Sequence, residues 1–263
     1  AKYFNPLPLS EALDLMAANK LPERAVCISF DDGYADNESI ALPILVRHKV
    51  PATVFVTSGV LNGGIMWNDV VIELIKNWAS SQLDLREIGL PEFALNTVDE
   101  RRSAVNTVMV AMKHWPFLRR QEAIEYLKKR ADFLPDNLML SDAQLKRLHA
   151  SGVEIGGHTI NHPLLTCMDD NEVGIEISEN KRVLEELLGC ELRYFAYPNG
   201  VPGKDFDARH IEMVKNVGYQ AALATQWGAN SGLSDIWQLA RFTPWDKSPL
   251  KFMIRLLQNY RNI

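Results

Sequence analysis

The chain has 263 residues, 47% hydrophobic and 23% charged, with 28 Lys+Arg against 33 Asp+Glu for a formal net charge of −5. This is the mix of an ordinary globular protein that can bury a substantial core, and it excludes disordered and collagen-like chains. A mildly acidic chain without a long Lys/Arg run argues against nucleic acid or an anionic membrane as partner, and no apolar run approaches the ~18 residues of a spanning helix.

Ala25-Val26-Cys27-Ile28-Ser29-Phe30 is a short apolar run that ends at Asp31-Asp32-Gly33; it predicts a buried strand, with Cys27 as a small buried residue. Residues 36–49 follow with helical spacing, and 52–57 is a second strand stopped by Ser58-Gly59. This β-α-β order predicts parallel strands joined by a crossover helix. Residues 67–78, 97–115, 118–132 and 141–150 carry helical periodicity with few strand signals. No Gly/Ser/Pro-rich linker flanks them, so about 67–150 is expected to be a helical insertion within one domain spanning 1–263. Strand-like 153–156 comes next, then a helix over 169–188 with apolar residues at four- and seven-residue steps and Gly189 at its stop. A strand at 194–197, a helix at 205–217, a strand at 220–224 and a helix at 248–260 complete the alternation. The three cysteines, Cys27, Cys167 and Cys190, form neither a disulfide framework nor a CxxC pair. With no leader visible, they lean toward a cytoplasmic, reducing setting.

Two segments carry the chemistry. In Ser29-Phe30-Asp31-Asp32-Gly33-Tyr34 two adjacent carboxylates close a strand. Side chains alternate along a strand, so the pair would diverge unless the glycine turns the chain and brings both to one pocket. Taken alone, such a stop is more often a plain turn. In Gly156-Gly157-His158-Thr159-Ile160-Asn161-His162-Pro163 two histidines stand four apart. Coiled helically, that spacing puts both imidazoles on one face, a metal-ligand arrangement. Two His and one Asp make an open triad for a divalent ion, and the other Asp is left to act as a base toward water. The implied chemistry is hydrolysis of an amide or ester.

At these residues the chain resembles the polysaccharide deacetylases, carbohydrate esterases that share the chitooligosaccharide-deacetylase homology domain. Phe30-Asp31-Asp32-Gly33 is similar to their first motif, His158-Thr159-Ile160-Asn161-His162 to the second, and Phe195-Ala196-Tyr197-Pro198-Asn199-Gly200 to a variant of the third. The resemblance covers about 21–243 and implies a distorted (β/α) barrel with its site at the C-terminal strand ends. It also implies Asp31 as general base and Asp32, His158 and His162 as ligands of a divalent metal, usually zinc. The Asn199 N–H would help hold the oxyanion. The expected substrate is an N-acetylated sugar polymer or oligomer, giving a free amine and acetate. Three departures follow. Ala196 stands where the family has an Arg paired with the base, and Arg193, three residues earlier, would face away. The Ala224-to-Gly228 region lacks the Asp of the fourth motif. Leu239-Ala240-Arg241 replaces the Leu-x-His that supplies the acid. Arg241 is a poor acid, and is expected instead to stabilise negative charge or fix Asp31. A protonated Asp31 would then return the proton to the leaving amine.

His48, His114, His149 and His210 are expected to be structural or surface residues. Trp67, Trp227 and Trp245 could line a sugar groove or simply pack, and Asn68 and Asp69 could cap a helix. A deformylase or small-amide hydrolase of the same fold, or a sugar-binding relative without turnover, are the competing readings. The sequence leaves oligomeric state open.

Overall fold

The computed structural model describes residues 3–244 and 246–260, so Trp245 lies outside the described residues. In chain order the first half has β1 (Asn5–Pro6), α1 (Leu9–Ala17), β2 (Ala25–Val26), β3 (Ser29–Phe30), α2 (Leu42–His48), β4 (Thr53–Val56), α3 (Trp67–Asn77), β5 (Gln82–Asp84) and β6 (Glu92–Ala94). The second half has α4 (Val98–Lys113), α5 (Phe117–Arg130), α6 (Asp142–Ala150), β7 (Glu154–Gly157), α7 (Asp170–Leu188), β8 (Tyr194–Ala196), α8 (Ala208–Asn216), β9 (Ala221–Leu223) and α9 (Pro249–Tyr260). No helix among the described residues is long and apolar enough to cross a membrane.

The central sheet runs β3-β4-β7-β8-β9, every neighbouring pair parallel. Strand order equals chain order, the winding of a (β/α) barrel, and helices provide the crossovers. Both faces of the sheet are buried, which is why its strands read as unbroken apolar runs. Alternation still sorts the side chains: Val54, Val56, Phe195 and Ala222 join one core cluster, while Phe55, Tyr194, Ala196 and Leu223 join another with Leu9 and Met16 of α1. The Pro8 N-cap of α1 offers no side-chain bond. Glu154 of β7 fills that role, its carboxylate accepting from the N–H groups of Leu9 and Ser10 at 2.8 and 3.1 Å.

Beyond β9 the chain returns alongside the sheet, with Leu239 bridged in parallel to Leu223. Helices α3, α4 and α5 and the antiparallel β5–β6 hairpin surround a separate cluster that includes Val70, Leu83, Val108 and Leu127. In contrast, α6 gives Leu145 and Leu148 to the main cluster.

The alternation of elements follows the sequence reading, with four differences. The run 25–30 is two short strands: β2 pairs with β1, and β3 alone enters the main sheet. The break leaves Cys27 exposed rather than buried, and all three cysteines are free. The helix expected over 36–49 opens as a π-turn at Asn37–Ala41 before α2. The expectation contained neither α1 nor the β5–β6 hairpin, whose strands are too short for a period to register.

Candidate metal centre and active-site cleft

The residues singled out from sequence converge at the C-terminal ends of the parallel strands. Asp31 and Asp32 follow β3, His158 follows β7, Asn199 follows β8, and Arg241 lies just past the segment bridged to β9. The Asp pair is turned into one pocket as the sequence required, but Asp32 makes half of the turn itself: its φ is 74°, beside 84° at Gly33. The His158–His162 segment is not helical. It is a loop in which Thr159 and His162 take φ of 65° and 50°, and this brings the imidazole centroids to 4.9 Å. Left-handed backbone at non-glycine residues costs about 1–3 kcal/mol per residue and persists where surroundings over-determine it, characteristically at functional sites. β-Branched Thr159 is the most demanding case.

The ligand atoms of Asp32, His158 and His162 lie within 4.8 Å of one another. Asp32 Oδ1 is 3.4 Å from His158 Nε2 and 3.4 Å from His162 Nε2. That oxygen is buried and has no hydrogen-bond partner. An orphaned carboxylate oxygen facing two imidazole nitrogens is the arrangement a divalent cation satisfies. His158 Nδ1 lies 2.7 Å from the Ala196 carbonyl, which fixes the proton on Nδ1 and leaves the Nε2 lone pair free for a metal. Burial, opposed by Asp32, pushes the His162 imidazole down to about 4, so it is neutral and ligand-competent. The donor set therefore fits a divalent metal.

Asp31 faces the same pocket with a different partner. Arg241 donates from Nη1 to Asp31 Oδ1 at 2.7 Å and from Nη2 to Oδ2 at 2.9 Å, a two-pronged pair. Nε of Arg241 donates to the Ala224 carbonyl at 3.0 Å, locking the guanidinium plane. Burial would raise the Asp31 carboxyl, but the Arg241 charge and its hydrogen bonds, with His158, hold it below the ordinary carboxylate value. Asp31 is thus held as a standing carboxylate. Asn199, in left-handed backbone at φ 59°, is pinned by the Thr225 hydroxyl donating to its carbonyl at 2.5 Å. Among the described residues no acceptor engages its N–H.

The remaining histidines stand apart. His210 is fully buried and its Nδ1 accepts from Asp207 N at the start of α8, while His149 neighbours Cys190. Asn68 and Asp69 do not cap α3, whose N-cap Met66 has no side-chain bond; instead the Tyr34 hydroxyl donates to Asp69 Oδ2 at 2.8 Å. Trp67 packs under the Arg120 guanidinium at 4.9 Å, and Trp227 is half-exposed against Phe242.

Three supporting residues escaped the sequence reading. Buried Asn180 of α7 accepts from His158 N and donates to the carbonyls of Val56 and Thr159. Buried Glu176, one turn earlier, accepts from the N–H groups of Ile160 and Asn161. Arg120 of α5 donates to the His162 carbonyl at 3.4 Å. The signal for the first two was present: Val173, Ile177 and Leu184 are apolar at helical steps, and Glu176 and Asn180 fall on that same buried face.

Comparison with known proteins bears on the family and the fold. A family model described as polysaccharide deacetylase matches residues 18–84 and 106–222, more than half of the chain. YxkH of Bacillus subtilis (strain 168) is 20% identical over 239 residues, 90% of this chain; the chain spans only 58% of that relative's length. Among solved structures, the Streptococcus pyogenes deacetylase PplD in complex with acetate superposes with a TM-score of 0.61 at 17% identity, covering 97% of this chain and 80% of that one. IcaB from Ammonifex degensii gives 0.60 at 19%, covering 97% and 82%. At these identities the structural likeness speaks for the fold.

Proposed function

The chain belongs to the polysaccharide deacetylase family, and on that premise we propose that it hydrolyses N-acetyl groups on an amino-sugar polymer or oligomer with zinc as its divalent metal. One observation carries the reading: a carboxylate held ionised by a two-pronged arginine stands beside an Asp-His-His cluster with its ligand atoms turned inward. Two His and one Asp leave an open position, the pattern of a catalytic rather than a structural zinc site. When bound there, the ion acts as a Lewis acid on the carbonyl and eases deprotonation of water.

The chain's own residues do the rest. Asp31, with 29% of its side chain accessible, takes a proton from the attacking water on a carboxylate lone pair that Arg241 leaves free. Arg241 keeps both oxygens oriented and stays protonated throughout. The Asn199 N–H donates to the oxygen that gains charge as the carbonyl carbon becomes tetrahedral. Collapse breaks the C–N bond, and Asp31 gives its proton to the departing amine nitrogen, serving as base and then acid. This assignment fits a site in which Arg241 occupies the place of the family's acid histidine.

The experiment is acetate release from short N-acetylglucosamine oligomers by metal-free protein supplied with Zn²⁺ or Co²⁺, run beside Asp31→Asn. Metal-dependent release by the parent, and a loss of about 10²–10⁴-fold in the variant at full metal content, is the expected result. Cleavage confined to formyl or other small amides would move the substrate class. Tight oligosaccharide binding with no acetate from the metal-loaded parent would identify a binding protein, the competing reading motivated by the missing Leu-x-His and by Ala196.

A further inference from the structure

The His158–His162 turn is strained, yet it is held by two buried charged side chains from different helices. From α7, Glu176 Oε2 accepts from the N–H groups of Ile160 and Asn161, each at 2.8 Å, and Oε1 accepts from Asn161 Nδ2 at 2.6 Å. From α5, Arg120 Nη2 donates to the His162 carbonyl. Glu176 is 4% exposed and Arg120 3% exposed, and each feels the other's charge without a direct ion pair. The polarity is matched throughout: peptide N–H groups point at the anion and the peptide C=O points at the cation. A buried charge is costly unless hydrogen bonds and an opposite charge compensate it, and here the turn itself supplies the bonds. Thr159 Oγ1, accepting from His162 N at 3.1 Å, completes the hold on the second histidine.

We infer that Glu176 and Arg120 act together as positioning residues of the metal centre, Glu176 holding the middle of the turn and Arg120 its His162 end, so that His162 Nε2 is set against Asp32. Arg120 belongs to α5, in the separately packed helical region, so that region is a working part of the site rather than an appendage. Trp67 of α3, stacked on the Arg120 guanidinium, is its second anchor from the same region. The inference rests on the metal reading proposed above.

The test measures metal binding on the full chain, stripped of metal and then titrated with Zn²⁺ against a chromogenic chelator and with Co²⁺ by absorption. The variants are Glu176→Gln, Arg120→Met and Arg120→Lys, with melting temperatures taken metal-free so that folding and binding separate. Glu176→Gln and Arg120→Met are expected to weaken both metals by about 10–100-fold and to alter the Co²⁺ band, and Arg120→Lys to recover part of the loss. Affinities within twofold of the parent, with only the melting temperature lowered, would make both residues merely structural and overturn the inference. If Glu176→Gln does not fold, the Arg120 pair decides. A parent chain that binds neither ion fails the metal reading itself, a result distinguishable from failure in the variants alone.

Discussion

Asp31 and Asp32 are neighbours in the chain, and each is made tolerable by a different cationic or cation-binding partner: Arg241 for the first, the two imidazoles for the second. Arg241 is not replaceable by charge alone, because only a planar guanidinium meets both carboxylate oxygens at once. Arg241→Met is expected to reduce turnover by about 10²-fold or more at unchanged metal content, and Arg241→Lys to restore a minor part, as read by kcat beside metal analysis. Glu176 gives the pH prediction. Burial, partly offset by its hydrogen bonds, holds its carboxyl above the ordinary glutamate value. A raised carboxyl pKa contributes stability that is full below the unfolded value of about 4.3 and is lost as pH rises through the folded value. Glu176→Gln titrates nowhere in this range, so its melting temperature relative to the parent should improve from pH 4 to pH 8 in chelator. A difference that is flat with pH, or that falls, would contradict the assignment.

At the scale of elements, β7 is the strand that the site depends on, and its two glycines show why. A Cβ on Gly157 would collide with the Tyr219 hydroxyl and come within 2.7 Å of Asn180 Oδ1. One on Gly156 would meet the Phe55 ring at 2.5 Å and the Tyr194 carbonyl at 2.8 Å. The glycines serve close packing of β7 against α7 and β8, so that Asn180 can reach the His158 amide. Gly157→Ala should therefore cost about 1–3 kcal/mol of stability by overpacking and should also weaken metal binding through displaced Asn180, measured by denaturant unfolding and Zn²⁺ titration. The helix α7 that carries Asn180 and Glu176 is well specified locally: Asp169 and Glu172 form a capping box and Gly189 ends it in left-handed backbone.

Across the whole molecule, the site doubles as the closure of the sheet. The strand order leaves β3 and the Leu239 segment as the two ends, and Arg241 spans them by reaching Asp31 and, at 3.4 Å, the Ser29 hydroxyl. Asp32 and the histidines join β3 to β7 across β4. An ion bound there ties separate strands of the folded state and has no such site in the unfolded chain. Saturating zinc at about 1,000 times its Kd should raise stability by about 4 kcal/mol, and chelation should remove the gain. Asp31→Asn should keep that gain and His158→Ala should lose it, so calorimetry with and without chelator separates ligand from base. A gain that survives His158→Ala would place the ion elsewhere.

The sequence by itself determined the alternation of the main-sheet strands with their crossover helices, the parallel winding and the family, and it singled out the Asp and His residues that meet at the candidate site. These are written in local periodicity and in short contiguous motifs, where neighbours in the chain decide the outcome. Only the tertiary structure decided that Arg241 meets Asp31, 210 residues away, and that Glu176 and Arg120 hold the histidine turn from two elements. It also decided that the turn is left-handed rather than helical and that 25–30 divides between two sheets. Each of these is a contact between segments distant in the chain. Its energy comes from desolvation and geometry at the point of meeting, and no stretch of sequence carries that on its own.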